Sequence, residues 1–223
     1  MFAHVLLDLR LYWDYIVQVF FDLFSRERTQ SRIIRPLPRA ALTLQPEIKQ
    51  VGSLEVITLF SYDDERVAAT IRALKYENSR YAAHLLANAL ERWLFTNTLQ
   101  SSTLSERLIV VPIPLHEKRM RERGFNQITR VLTRVNPHAY YRSSIQFNPD
   151  ILSREKYTEQ QTKLSVNARK DNVAGAFRSH GIVVGRRIII VDDVITTGAT
   201  MLEAARVLRD AGASVTCLVF ARA

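Results

Sequence analysis

An α/β protein with a largely parallel sheet is what the sequence predicts, on three observations. From Leu54 onward, short apolar runs alternate with segments of helical period, the pattern of strands joined by crossover helices. The last strong run, Ile188-Ile189-Ile190-Val191, is apolar at consecutive positions, as a strand covered on both faces must be. The 223 residues are 47% apolar and 24% charged, with 7 Gly and 7 Pro; the chain therefore buries a substantial core and is neither disordered, collagen-like nor a disulfide-stapled mini-domain.

The change of pattern divides the chain into an N-terminal extension, residues 1–53, and a main domain, residues 54–223. In the extension, Leu6, Leu9, Trp13, Ile16, Val17, Phe20 and Phe24 recur at helical spacing, so an amphipathic helix is expected. Asp8, Arg10, Asp14 and Asp22 interrupt it, leaving no uncharged run near the ~20 residues of a bilayer span. Nor is there the basic start or small-residue cleavage site of a signal peptide. Two uses fit such a helix: packing against the body or a partner chain, and peripheral contact with a membrane surface. Arg26 to Arg39 is basic and carries two prolines, and reads as an extended connector.

In the main domain, Leu54 to Phe60 is the first strand. Asp63 and Asp64 start a helix marked by Val67, Ile71 and Leu74. Tyr81, Leu85, Ala89 and Trp93 mark a second, with Asn78 and Ser79 breaking the two apart. Leu108 to Val111 is a buried strand stopped by Pro112 and Pro114, and Phe125 to Val135 keeps helical period until Asn136-Pro137 ends it. Arg187 to Val191, Gly198 to Ala211 and Ser214 to Phe220 make a strand, helix, strand unit, with Gly212 where a left-handed, helix-ending residue belongs.

Charge and cysteine content narrow the chemistry. Thirty-one Lys and Arg against 22 Asp and Glu give a net charge of +9, which favours anionic partners: phosphorylated metabolites, nucleic acid or an acidic lipid surface. The single cysteine, Cys217, excludes an internal disulfide and a zinc site needing two thiolates; amid Val215, Leu218 and Val219 it reads as a buried thiol. A cytoplasmic location is the expectation.

The strongest chemical signal follows the Ile-rich strand: Asp192-Asp193-Val194-Ile195-Thr196-Thr197-Gly198-Ala199-Thr200. Open α/β sheets place ligands at the carboxyl ends of their strands, which puts the two carboxylates at the mouth of a site. The Thr and Gly residues after them supply small side chains, hydroxyls and backbone N–H groups at a helix start, a setting for a phosphate. Carboxylates repel phosphate, so the pair must face another part of the ligand, such as sugar hydroxyls or a bridging divalent cation.

This segment resembles the signature of type I phosphoribosyltransferases, enzymes that bind phosphoribosyl pyrophosphate. The resemblance implies that fold: a mostly parallel sheet flanked by helices. It also implies that Asp192 and Asp193 contact the ribose hydroxyls, and that Ile195, Thr196, Thr197, Gly198, Ala199 and Thr200 cradle the 5′-phosphate. Mg²⁺ is then expected through the ligand. The stretch after the first core strand, Leu115, His116, Glu117, Lys118 and Arg119, would face pyrophosphate, although a solvated helix start with Glu117 and Glu122 as local partners also suits these residues. Arg154 to Lys170, including Gln161 and Arg169, matches the flexible catalytic loop of that family and reads equally as an ordinary exposed loop. No residue stands out as a general base.

Val111-Pro112-Ile113-Pro114, then Arg119, Arg121 and Arg123-Gly124-Phe125-Asn126-Gln127, resemble the ComF family, phosphoribosyltransferase-like proteins associated with bacterial DNA uptake. Leu74-Lys75-Tyr76, Thr158, Gln161, Leu164, Arg169, Asn172, Ala176-Phe177 and Ala221-Arg222 extend the resemblance. Many members open with a four-cysteine zinc module; none of those cysteines is present, so zinc does not carry over. Two functions follow as expectations. One is binding of phosphoribosyl pyrophosphate with Mg²⁺ and transfer to an unnamed acceptor, in nucleotide metabolism or linked to the DNA-uptake machinery. The other is metabolite sensing or handling of single-stranded DNA, for which Tyr140, Tyr141, Arg142, Phe147 and Tyr157 offer a loose mix of aromatics and cations.

Overall fold

The computed structural model describes residues 28–38, 41–52, 54–98, 108–136, 145–157 and 173–222. The N-terminal amphipathic helix, Tyr140 to Arg142, Gln161 and Arg169 lie outside them. Among the described residues the four expected strands pair into one sheet with two that the sequence did not predict, β1 and β4: β1 (Glu47–Val51), β2 (Leu54–Ser61), β3 (Leu108–Pro112), β4 (Ile145–Phe147), β7 (Arg187–Ile195) and β8 (Ser214–Arg222). Their order across the sheet is β1-β2-β8-β7-β3-β4, parallel at every junction except the antiparallel β1 edge. A separate antiparallel hairpin joins β5 (Leu152–Arg154) to β6 (Phe177–Ser179).

Two apolar layers bury the sheet. On the first face lie α1 (Arg28–Ile34), α2 (Glu65–Tyr76), α3 (Arg80–Thr98) and α5 (Gln127–Leu132), whose Ile34, Ile71, Leu86 and Ile128 meet Leu59, Val110, Ile189 and Val191. On the second, α6 (Ala199–Asp210) and the β5–β6 hairpin cover Val56, Val111, Ile188 and Ile190. Cys217 is fully buried in this second layer, where desolvation pushes its thiol up to about 12.

The helix boundaries follow local chemistry. Asp64 caps α2 by accepting from the Arg66 N–H at 2.9 Å, and Asn78, at φ +51°, separates α2 from α3. The stretch expected to be an extended connector is instead helical over Arg28–Ile34. Its two prolines come after the helix and only terminate it, while the Glu77 carboxylate accepts from the N–H groups of Gln30 and Ser31 and ties α1 to the end of α2. Ile34 and Leu42 are core residues and β1 is the sheet's edge, so the sheet starts before Leu54.

Candidate functional site

β3 and β7 lie side by side, yet their onward connections part. After β3 the chain passes through α4 (Glu117–Arg123) and α5 to β4 at one end of the sheet; after β7 it passes through α6, on the other face, to β8. That divergence opens a crevice at the carboxyl ends of the two strands, where such sheets hold ligands.

The strand expected to end at Val191 runs on to Ile195, because Asp192 pairs with Val219 and Val194 with Ala221 of β8. Asp192 and Asp193 are therefore neighbours within a strand, and the pleat sends them to opposite faces. Asp193, 4% exposed, points at the first layer. Lys75 Nζ of α2 sits 2.8 Å from its Oδ1, Gln127 Nε2 of α5 donates to its Oδ2 at 2.9 Å, and the Val194 N–H donates to Oδ1 at 2.6 Å. Arg123 Nη1 in turn donates to Gln127 Oε1 at 2.8 Å. Asn126 completes the bracket: its Oδ1 caps α5 through the N–H groups of Ile128 and Thr129, and its Nδ2 donates to the Ile113 carbonyl just past β3. Burial works against the charge on Lys75, but the attraction and hydrogen bond of Asp193 outweigh it and raise the lysine above its usual value.

Asp192 faces the second layer. Burial, reinforced by repulsion from Asp193, pushes its carboxyl up to about 7, against the pull of the Asp193 N–H, Lys75 and Arg154. Arg154, on β5, is itself lowered to about 10, by burial first and then by the nearby Arg119. The β5 arginine thus faces Asp192, with the α4 arginine close enough to repel it.

Beside Asp192, a hollow of about 50 Å³ is walled by Ile195, Thr196, Gly198, Ala199 and Thr200. Helix α6 begins there on Gly198, at φ +75°, with no side chain capping its first turn. Only glycine fits: a Cβ would stand 2.2 Å from Val51 Cγ1 of β1 in a backbone conformation that L-residues disfavour. Thr197 Oγ1 is buried without a hydrogen-bond partner among the described residues. The helix dipole gives this hollow a positive local potential.

Across the crevice, His116 caps α4, its Nδ1 accepting from the Lys118 N–H at 3.1 Å. Tyr157, a little past the end of β5, packs edge-on against His116 at 5.3 Å, and Lys118 Nζ lies 4.5 Å over its ring. Glu117 turns outward to Arg121 at 2.7 Å. Of the expected pyrophosphate residues, Arg119 therefore lies near Arg154, while His116 and Lys118 hold Tyr157. Phe147, by contrast, packs on the first core layer, apart from Tyr157. Among the described residues, no group of three or more His, Cys, Asp or Glu side chains is placed to hold a metal ion, and no helix is long and apolar enough to cross a membrane. The bracket on Asp193 was not assigned from the sequence; a lysine closing an apolar helix and a buried Gln three residues after a glycine were its available signals.

Residues 126–223, which include β7, α6 and β8, match the family model "Phosphoribosyl transferase domain". Fold and sequence together define a phosphoribosyltransferase-fold protein of α/β class. The chain is 34% identical over 132 residues to "DNA utilization protein YhgH" of Escherichia coli, covering 58% of this chain and 56% of that one. It is 28% identical over 168 residues to "Competence protein F" of Haemophilus influenzae, covering 74% and 71%. To "Competence protein ComFC" of Bacillus subtilis it is 34% identical over 121 residues, covering 53% and 45%. These relatives and that domain make the chain similar to ComF-family, phosphoribosyltransferase-like proteins. It spans a little over half the length of the first of these relatives.

Proposed function

We propose that the chain binds phosphoribosyl pyrophosphate in the crevice between β3 and β7 and transfers its phosphoribosyl group to an acceptor. The observation that carries this reading is the pairing of an uncapped α6 N-terminus, opened by Gly198, with an under-compensated carboxylate, Asp192, on the wall of the same hollow. The 5′-phosphate takes the N–H groups of the loop and the ribose hydroxyls take Asp192. Arg119 and Arg154 attract the pyrophosphate charge that develops as the bond to the anomeric carbon breaks. The acceptor bonds to that carbon, the electron pair of the broken bond leaves on pyrophosphate, and the acceptor's proton passes to water. Asp193 serves as a positioning group in this scheme, since both of its oxygens are already engaged.

The chemistry of the site fits Mg²⁺ carried on the ligand: burial drives Asp192 toward neutrality, and a cation brought close to it would keep it ionised. When bound, the ion would supply neutralisation of the leaving group. From the relatives' names, concerned with DNA utilization and competence, we infer that the reaction serves DNA uptake or use. Calorimetric titration with phosphoribosyl pyrophosphate, with and without Mg²⁺, tests the reading. Binding that needs Mg²⁺ and disappears in Asp192→Asn is expected; a folded wild-type protein that does not bind would overturn it.

A further inference from the structure

A cavity of about 610 Å³ opens on the second face of the sheet, between β3, β4 and the β5–β6 hairpin, and none of the site chemistry above uses it. Ile109 of β3 belongs to the second apolar layer, and Gln146 of β4, directly opposite, shares its face. Arg186, just before β7, joins the wall. The hairpin adds Ile151 from just before β5 and His180 from just after β6. These two are tied together, the His180 N–H donating to the Ile151 carbonyl at 2.8 Å, and Ser153 Oγ holds the imidazole at 2.7 Å from its Nε2.

The wall carries charge of both signs and leaves both unmet. Neither the Asp150 carboxylate, in the turn Pro149–Ile151, nor the Arg186 guanidinium forms an ion pair among the described residues. Ile109, Ile151 and Ile182 make the wall's apolar part; Ile182 is 86% exposed, and an isoleucine so open gains from any apolar group laid on it. Sheet register gives the spacing of the charges. Arg187, Leu108 and Ile145 form one row, and Arg186 lies one residue before it. Asn148, whose N–H donates to the Val110 carbonyl, lies three residues after it and caps the turn that holds Asp150. The acid's turn thus starts about four residues, or about 13 Å, further along the strands than the arginine. With both side chains lining the cavity, that span suits a molecule of two or three extended residues at about 3.4 Å each.

We infer that this cavity binds a short peptide of two or three residues with both ends free, its ammonium on Asp150, its carboxylate on Arg186 and an apolar side chain on Ile182. A neutral ligand would leave both wall charges unmet, a simple anion would be repelled by Asp150, and a metal cation by Arg186. A dipolar molecule meets both. The guanidinium takes a carboxylate through paired N–H donors, and the side-chain amides of Gln146 and Asn148 match the N–H and C=O groups that a peptide carries between its ends. The volume lies in the range of small-molecule sites. This inference is independent of the transferase reading.

The test titrates the tripeptide Ala-Leu-Ala into the full chain, beside its N-acetylated and C-amidated forms, and follows binding by ligand-observed NMR. The free tripeptide is expected to bind, and each cap to weaken it about threefold to tenfold. Asp150→Asn should weaken the free and amidated forms by a like factor and leave the acetylated form unchanged, because that form has no ammonium to lose. Arg186→Gln should weaken the free and acetylated forms and leave the amidated form unchanged. Ile182→Ser should weaken all three alike. The inference is overturned if the free tripeptide does not bind, or if the losses fail to pair each cap with its own wall charge. The comparison of caps is read on wild-type protein, so it decides the matter even where a variant does not fold. Should no form bind, and sedimentation show self-association that Ile182→Ser abolishes, the cavity belongs to a second copy of the chain and the peptide assignment falls.

Discussion

Removing the Lys75 ammonium strips a buried carboxylate of its only close cation among the described ion pairs, and the consequence is calculable. At 2.8 Å and an effective dielectric near that of a protein's outer layers, the attraction is about 6 kcal/mol before desolvation is charged against it. Breaking one side of a buried pair costs about 3–5 kcal/mol; since the lysine side chain retains 23% exposure, Lys75→Met should cost about 2–4 kcal/mol. For a chain of this size that is a fall of about 4–16 °C in melting temperature. The assay is a double-mutant cycle with Asp193→Asn, read by urea denaturation. Because the amide introduced by Asp193→Asn carries no charge to strand, the double variant should be more stable than the two single losses sum to, by about 2 kcal/mol.

The pH dependence supplies a second arm. Lys75 is raised in the folded state above its ordinary 10.5, so the wild-type advantage over Lys75→Met should be full and flat below about pH 10.5. It should then fade as pH climbs through the folded value. A single-variant cost under about 1 kcal/mol, combined with additive losses, would refute the claim that this pair holds α2 to β7.

Two further outcomes are expected. Gly198→Ala imposes a left-handed conformation on an L-residue, about 1–2 kcal/mol, and drives its Cβ into Val51; it should lower stability by more than that amount in denaturant melts, and a neutral result would mean that the loop is held differently. For Asp192, a folded value near 7 against an ordinary 3.8 means the folded state binds more protons across that interval, so its contribution to stability falls as pH rises through it. Asp192→Asn should therefore be more stable than wild type at pH 8, with the gap closing toward pH 4 in parallel thermal melts; a gap independent of pH would remove the argument that this carboxylate is held charged at a cost.

How much of this was legible in the sequence depended on pattern length. The long elements were readable: the Ile-rich strand, the α6 helix with Gly198 and Gly212 at its ends, and the break between α2 and α3 at Asn78. Three-residue strands β4, β5 and β6 are too short to show a period. Helix α4, Glu-Lys-Arg-Met-Arg-Glu-Arg, buries none of its residues, so it carries no apolar stripe; the His116 cap and Gly124 at φ +77° define it instead. The reach of β7 past Val191 was also hidden. Consecutive carboxylates ordinarily end a strand, and only pairing with β8, a property of the distant segment Val219–Arg222, keeps these two in the sheet.

That hidden extension decides what the acidic pair does. Had the chain left the sheet at Val191, both carboxylates could turn to one ligand as a unit. Held in the pleat, they face opposite layers, and their environments separate them: Asp193 meets Lys75 and Gln127, while Asp192 meets burial and a neighbouring negative charge. The compensated acid ties α2 and α5 to β7, and with Asn126 bonded to the Ile113 carbonyl it keeps the ends of β3 and β7 in register across the crevice. The under-compensated acid is left on the wall of the hollow, where a ligand bringing hydroxyls and cationic charge would gain most from meeting it. The same strand thus supplies rigidity to one layer and unspent affinity to the other, and the two cannot be exchanged, because Lys75 approaches Asp193 from the first face.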